Sequence, residues 1–374
     1  MKTSIKILIG IIILALIVIV FSFSRYNGNA VNEQNKIKIG VMIPLTGTGA
    51  QFGEWDMQGI KIAQDEENFD TVIQDDQCLG SGGINAYNQL KIENIKYMVG
   101  SPCNAASIPA AKLAENDKTI MITFGVSTEA LRKSGEYIFT LLPSIDSQSV
   151  KLSEFLEKNN YTSISILYLN NEYGVENKET LIKDYKGEVK TIEAFDNNDK
   201  DFRSALSKMK NDGSQGIVII GYATHYVNII NQITELKIDK QLFSGLTVQD
   251  PTVISATKNL PISIIYTYPQ SSESRELDNF IQKYNKKYNT DVESLPIHVG
   301  AGYDSVKILI SKIRECNNEK NESTDCVKNK LLEVKDYKGV NGLISFDSDG
   351  NVVMPTEIRE IKNGEFFKYS GGLE

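Results

Sequence analysis

The chain opens on two lysines and an almost unbroken apolar run, MKTSIKILIGIIILALIVIVFSF, over residues 1–23. After a polar stretch over 24–36 the pattern changes to short apolar blocks alternating with amphipathic ones. The apolar blocks predict strands over 37–43, 71–75, 97–100, 119–123, 163–169, 189–194, 216–221, 242–244 and 263–266. Between them, helical spacing predicts helices over 53–68, 84–92, 105–115, 147–159, 175–185, 202–211 and 224–236. Strand–helix alternation at this period predicts an α/β fold whose parallel sheets are covered on both faces. The alternation runs twice, over 37–142 and over 146–266, and two more helical patterns follow at 272–288 and 297–314. The end, GLISFDSDGNVVMPTEIREIKNGEFFKYSG, changes to alternating strands around the polar turns DSDGN and KNGE, which predicts β-hairpins. DSDGN shares its start with a calcium loop. The closing glutamate and preceding helix of such a loop are missing, so it reads as a turn.

The leading run decides the compartment. Lys2 and Lys6 precede the apolar residues 7–23, a stretch longer than most signal cores and at the lower limit of a membrane span. No A-x-A site and no cysteine follow it directly. Two readings stay open, an uncleaved anchor with its lysines inside or a cleaved signal. Both place residue 30 onward outside the cytoplasm. The four cysteines agree, because an even number in an exported chain suggests disulfides. Cys316 and Cys326 flank a polar loop, a local clip. Cys78 and Cys103 each follow a predicted strand end, and adjacent strand ends of one sheet could meet; four free thiols are the alternative.

Composition narrows the function. The chain has 374 residues, enough for two cores, and a net charge of −8. No basic stripe exists to neutralise phosphates, so a nucleic-acid partner is not expected. His225 and His298 are far apart and lack metal-ligand spacing; both read as helix-surface or packing residues, and no metal is expected. No G-x-S-x-G, H-E-x-x-H, Walker loop or catalytic Cys/His pair is present, so neither an enzyme nor a cofactor is expected.

The chemistry lies at strand–helix junctions. PLTGTGAQFG puts Gly47, Gly49 and Gly53 between a strand and a helix, where backbone amides can meet an anion. With Asp75 and Asp76 downstream, this imitates a dinucleotide fingerprint, although Pro44, Leu45 and Thr46 lengthen the turn. GSPCNAAS, with Asn104 or Ser101 as helix cap, and ITFGVSTEA, with Gly125, Ser127 and Thr128, form two similar junctions. Parallel strands bring such turns together at the carboxyl edge of a sheet, where α/β ligands bind. The second half has its own edge in LNNEYGVE, IIGYATHY and FSGLTVQD, with Tyr173 and Tyr222 after strands.

At these junctions the chain resembles the leucine/isoleucine/valine-binding proteins, the amino-acid-binding type I solute-binding proteins of ABC importers. The resemblance spans about residues 37–374 and rests on IKIGVMIPLTGTGAQFGEWDMQGIKIA, IQDDQC, IKYMVGSPCNAASIPAAKLA, IMITFGVSTEAL, LLPSIDSQ, ILYLNNEYGVE and GLISFDSDGNV. It implies two α/β lobes closing on a ligand. Lobe 1 would be 37–145 with 269–353, and lobe 2 would be 146–268 with 354–374. Crossovers would fall near 143–146, 267–270 and 353–357. It also implies a Cys78–Cys103 disulfide, carboxylate-binding positions at Asn104, Gly125 and Ser127, an aromatic wall at Phe52, and second-lobe tyrosines at Tyr173 and Tyr222. Where the family has an acid for the ligand ammonium, this chain has Thr247, which cannot neutralise a cation; Asp250 is three residues out of place. An amino acid, an amide or urea-like compound, or a small carboxylate is the expected ligand. The expected partners are ABC permease subunits and, through residues 1–23, the membrane of a cell surface or periplasm. A sensory module on the same fold and an exported enzyme are the alternatives.

Overall fold

The computed structural model describes residues 36–47, 49–269 and 275–369, with only the backbone of Val126 and Ser127. The predicted leader, 1–23, and the linker, 24–36, except its last residue, lie outside the described residues. Among the described residues no helix is long and apolar enough to cross a membrane.

The first sheet has five parallel strands in the order β2-β1-β3-β4-β5. They are β1 (Ile37–Ile43), β2 (Phe69–Asp75), β3 (Tyr97–Gly100), β4 (Ile120–Ser127) and β5 (Ile138–Ser144). Helices α1 (Ala50–Glu66), α2 (Gly80–Ile92), α3 (Asn104–Asn116) and the single turn α4 (Glu129–Arg132) connect them. β5 was not predicted. Its Pro143 cannot donate to a ladder, which argues against a strand, and the structure resolves this by placing β5 at the sheet edge. β4 runs four residues past its predicted end. A bulge between Thr123 and Val126 carries the strand through Gly125, the residue that breaks its apolar pattern.

The chain then moves to the second sheet through α5 (Ile145–Lys158). Strands β6 (Ser163–Leu169), β7 (Glu188–Phe195), β8 (Gly216–Ile220), β9 (Gln241–Ser244) and β10 (Ser263–Pro269) alternate with α6 (Glu172–Asp184), α7 (Arg203–Lys210), α8 (Ala223–Leu236), a 3₁₀ turn at Leu246–Val248 and α9 (Pro251–Ala256). β8 is buried along its whole length and β6 nearly so, as strands covered on both faces must be. β7 alternates exposed and half-buried residues, as an edge strand does.

Next, α10 (Arg275–Tyr288), α11 (Ile297–Asn318) and α12 (Thr324–Leu332) return to the first sheet, with the small strands β11 (Tyr337–Gly339), β12 (Gly342–Phe346) and β13 (Val352–Val353). The contact between α11 and α1 is backbone-close. A Cβ on Gly59 would lie 1.9 Å from the Val299 carbonyl oxygen, and one on Gly302 would lie 2.1 Å from that of Asp56. DSDGN forms the β12–β13 turn, with Asp347 Oδ1 accepting from the Asp349 and Asn351 amides. Finally β14 (Thr356–Lys362) and β15 (Glu365–Lys368) add an antiparallel ribbon to β10. Asn363 and Gly364, both at positive φ, form the two-residue turn of that ribbon. Both disulfides are formed, Cys78–Cys103 and Cys316–Cys326.

Candidate functional site

The carboxyl edges of the two sheets carry the expected residues. On the first side, Phe52 stands in the opening turn of α1, where its amide donates to the Gly49 carbonyl (2.9 Å). The turn before it is held by Asp75, whose carboxylate accepts from the Leu45 amide (2.9 Å), the Thr46 hydroxyl (2.6 Å) and the Gln77 amide (2.9 Å). Burial works to raise the Asp75 pKa, but these donors outweigh it and hold the carboxyl below its ordinary value. Asp75 is therefore consumed in shaping the turn. Gly49 lies against the disulfide, since a Cβ there would be 2.8 Å from Cys78 Sγ and 3.0 Å from Cys103 Sγ. A Cβ on Gly53 would be 2.1 Å from the Pro44 carbonyl oxygen. Packing accounts for these glycines without a dinucleotide.

Asn104 follows Cys103 as the first residue of α3. Neither Asn104 nor Ser101 caps that helix, contrary to expectation, because the capping position is Cys103 and it makes no side-chain cap. Ser101 instead exchanges bonds with Cys103 and Ser107. Asn104 Oδ1 is buried with no partner among the described residues. It occupies the space above Gly125, where a Cβ would come within 2.6 Å of it. Thr128 is a cap, its hydroxyl accepting from the Leu131 amide at 3.3 Å. The Ser127 side chain lies outside the described residues.

On the second side, Asn171 caps α6 by accepting from the Gly174 amide (2.9 Å), and its Nδ2 donates to the Tyr222 hydroxyl (3.3 Å). Tyr222 holds the N-cap position of α8, with its own amide donating to His225 Nδ1 (3.1 Å). Tyr173 is buried and stacks on Tyr222, centroids 5.6 Å apart and planes 18° apart. Its hydroxyl lies 3.2 Å from Thr247 Oγ1, which is also 3.4 Å from the Tyr226 hydroxyl. Burial pushes the pKa of Tyr173 and Tyr222 up, so both present neutral hydroxyls. Asp250 does not supply the missing acid. It caps α9, its carboxylate accepting from the Thr252 amide at 2.7 Å.

The two sides meet. The Phe52 ring is edge-on to Tyr222 at 6.0 Å, and Glu176 Oε1 on α6 accepts the Glu129 amide proton at 2.8 Å. Phe52, Tyr222, Tyr173 and Thr247 thus form one connected set, and Asn104 and Gly125 another, linked through Cys103 and Gly49. A separate groove of about 520 Å³, lined by Gln249, Tyr268, Leu277 and Glu357 among others, includes none of them.

Sequence reasoning did not single out Asp56, and it read His298 as a helix-surface or packing residue. Asp56 is fully buried on α1 and accepts from His298 Nδ1 on α11 at 3.2 Å. Burial raises its pKa to about 6, against the opposing pull of the imidazole. The His298 ring lies 4.9 Å from Phe52 and stacks 6.4 Å from Trp55. The two residues are 242 positions apart, and only the α1–α11 contact joins them.

A profile of the periplasmic binding protein family matches residues 36–365. The chain belongs to the periplasmic binding protein family. It is 23% identical over 348 residues to the leucine-, isoleucine-, valine-, threonine- and alanine-binding protein of Pseudomonas aeruginosa, covering 89% of each chain. Its fold matches the leucine-binding protein LivK of Thermotoga maritima with a TM-score of 0.80 at 21% identity, over 89% of this chain and 98% of that one. It matches a solute-binding protein of R. palustris in complex with 4-hydroxybenzoate with a TM-score of 0.78 at 18% identity, over 89% and 95%. The architecture is the two-lobed one of this family, each sheet forming one lobe and the chain crossing between them three times.

Proposed function

We propose that this protein captures a small polar solute between its lobes, without catalysis, and presents it to an ABC importer outside the cytoplasm. The moving bodies are 37–145 with 269–353 and 146–268 with 354–374. The observation that carries the reading is the contact of Phe52 from one lobe with Tyr222 of the other, where Tyr222 stacks on Tyr173 and Tyr173 bonds Thr247. Asn104 offers a buried, unpartnered oxygen on the first side. Groups so placed complete a ligand's bonds only when both lobes contribute, which couples binding to hinge closure. The relatives are named for binding amino acids, and one matching structure holds an aromatic carboxylate, so a small solute suits the fold. Thr247 in place of an acid disfavours a ligand ammonium group. The apolar N-terminal segment would keep the binder near its permease and raise its effective concentration there.

Thermal unfolding of residues 30–374 against amino acids, amides, urea and small carboxylates tests the reading. A ligand at one hundred times its Kd stabilises by about 2.7 kcal/mol. A raised midpoint with one chemical class supports capture, and no shift with any class contradicts it.

A further inference from the structure

We propose that Glu176 is a positioning residue for closure: its carboxylate fastens the second lobe to the first at the Glu129 amide and sets how long a captured solute is held. This rests on the capture reading and adds to it a part that acts outside the solute's own contacts.

Glu176 Oε1 accepts from the Glu129 amide at 2.8 Å, a bond between α6 of the second lobe and α4 of the first. Each end lies beside a residue of the site. Glu176 stands one helical turn after Tyr173, whose carbonyl accepts from Asn177 Nδ2 at 2.8 Å. Glu129 is two residues beyond Ser127, the last residue of β4. Parting the lobes at Phe52 and Tyr222 therefore breaks this bond as well. The short turn α4 is itself anchored. Thr128, fully buried, caps it, and Arg132 at its other end pairs with Asp146 at the start of α5. That pair lies at the crossover near 143–146, where the lobes stay joined, so Glu176 holds the end that can part.

A backbone amide cannot be withdrawn by a side-chain rotation, so the bond depends on whether Glu176 presents an acceptor. With the lobes apart, both groups bond water; with them together, they bond each other. The negative charge strengthens the bond, and closing takes that charge partly out of water. Burial raises the Glu176 pKa above its ordinary value, with Asp146 and the Glu129 carboxylate adding to the rise and the Glu129 amide and Arg132 opposing it. A neutral carbonyl oxygen in the same place would accept the same proton without that desolvation. The Glu129 side chain takes no part. It is 62% exposed and pairs with Lys133. Because the bond forms only once the lobes meet, it acts on dissociation rather than on encounter. Neither residue belongs to the set of Phe52, Tyr222, Tyr173 and Thr247, so the bond favours every closed complex alike.

The test is to measure association and dissociation rates of leucine, benzoate, benzamide and urea on the full chain, following each probe that binds in each variant. Glu176→Ala should speed dissociation about fivefold to tenfold, with association and the order of preference among probes unchanged. Glu176→Gln keeps an acceptor and should restore the natural dissociation rate or slow it further. Glu129→Pro removes the donor alone. Position 129 opens α4, where proline is favoured, and Thr128 before it already has the extended backbone that proline requires, φ −80° and ψ 159°. This variant should match Glu176→Ala, and the two substitutions together should release solute no faster than either. Unchanged unfolding midpoints without solute keep a folding defect apart from faster release. Unchanged dissociation in Glu176→Ala and Glu129→Pro overturns the proposal and leaves capture standing. So does additivity of the two, an altered order of preference, or a Glu176→Gln rate as fast as that of Glu176→Ala. Binding by none of the four probes overturns capture, and the role of Glu176 with it.

Discussion

Single residues at this site divide by what else they hold. Tyr173 belongs to the buried core of the second lobe, so Tyr173→Ala would lose about 3–5 kcal/mol of stability and confuse folding with binding. Gly125 separates the two effects. A Cβ there would lie 2.6 Å from Asn104 Oδ1 and 3.2 Å from the Pro102 carbonyl oxygen, so Asn104 must turn away and the backbone give by a few tenths of an ångström. Gly125→Ala is expected to cost about 1 kcal/mol of stability while weakening ligand binding about tenfold or more, measured by unfolding and calorimetry on one preparation. An unchanged affinity would remove Asn104 from the site. Tyr173 and Tyr222 stood out in the sequence because they follow predicted strands and parallel topology brings such junctions together, whereas Phe52 and Thr247 were reached only through the resemblance to known binders. Asp56 lies inside a helix, and His298 opens one that follows a loop rather than a strand. Their pairing depends on a helix crossing that periodicity does not encode.

Among the elements, the first turn and α3 are tied by Cys78–Cys103, a bridge with sequence separation 25. Closing a loop of that size is worth about 3 kcal/mol against the unfolded chain. The same bridge packs on Gly49, which Phe52 bonds through its amide, and precedes Asn104. Replacing both cysteines by serine should therefore lower the unfolding midpoint and weaken ligand affinity together. Replacing Cys316 and Cys326, which join α11 to α12, should lower stability and leave affinity unchanged. Equal effects on affinity would contradict the placement of the site. The elements the sequence hid have physical causes. β5 carries a proline that only an edge position tolerates, and β4 passes through Gly125 by way of a bulge. In both, tertiary pairing overrides the local signal.

For the whole molecule, the claim is that the lobes close on a solute at the aromatic contact between Phe52 and Tyr222, supported by the Glu176–Glu129 bond beside it. The alternation of strands and helices, run twice, was enough to anticipate two sheets. Which face of each would meet the other became legible only through the resemblance to known binders. The chain's one tryptophan, Trp55, lies 5.9 Å from Phe52 and so reports on this place. The most direct measurement is Trp55 fluorescence during titration with whichever probe raises the unfolding midpoint, in the natural chain and in Tyr222→Ala. The account predicts a saturable change that tracks calorimetric binding and is lost, with the affinity, in Tyr222→Ala. A probe that stabilises the protein without altering Trp55 emission, or that binds Tyr222→Ala equally well, would place its site somewhere other than between the lobes.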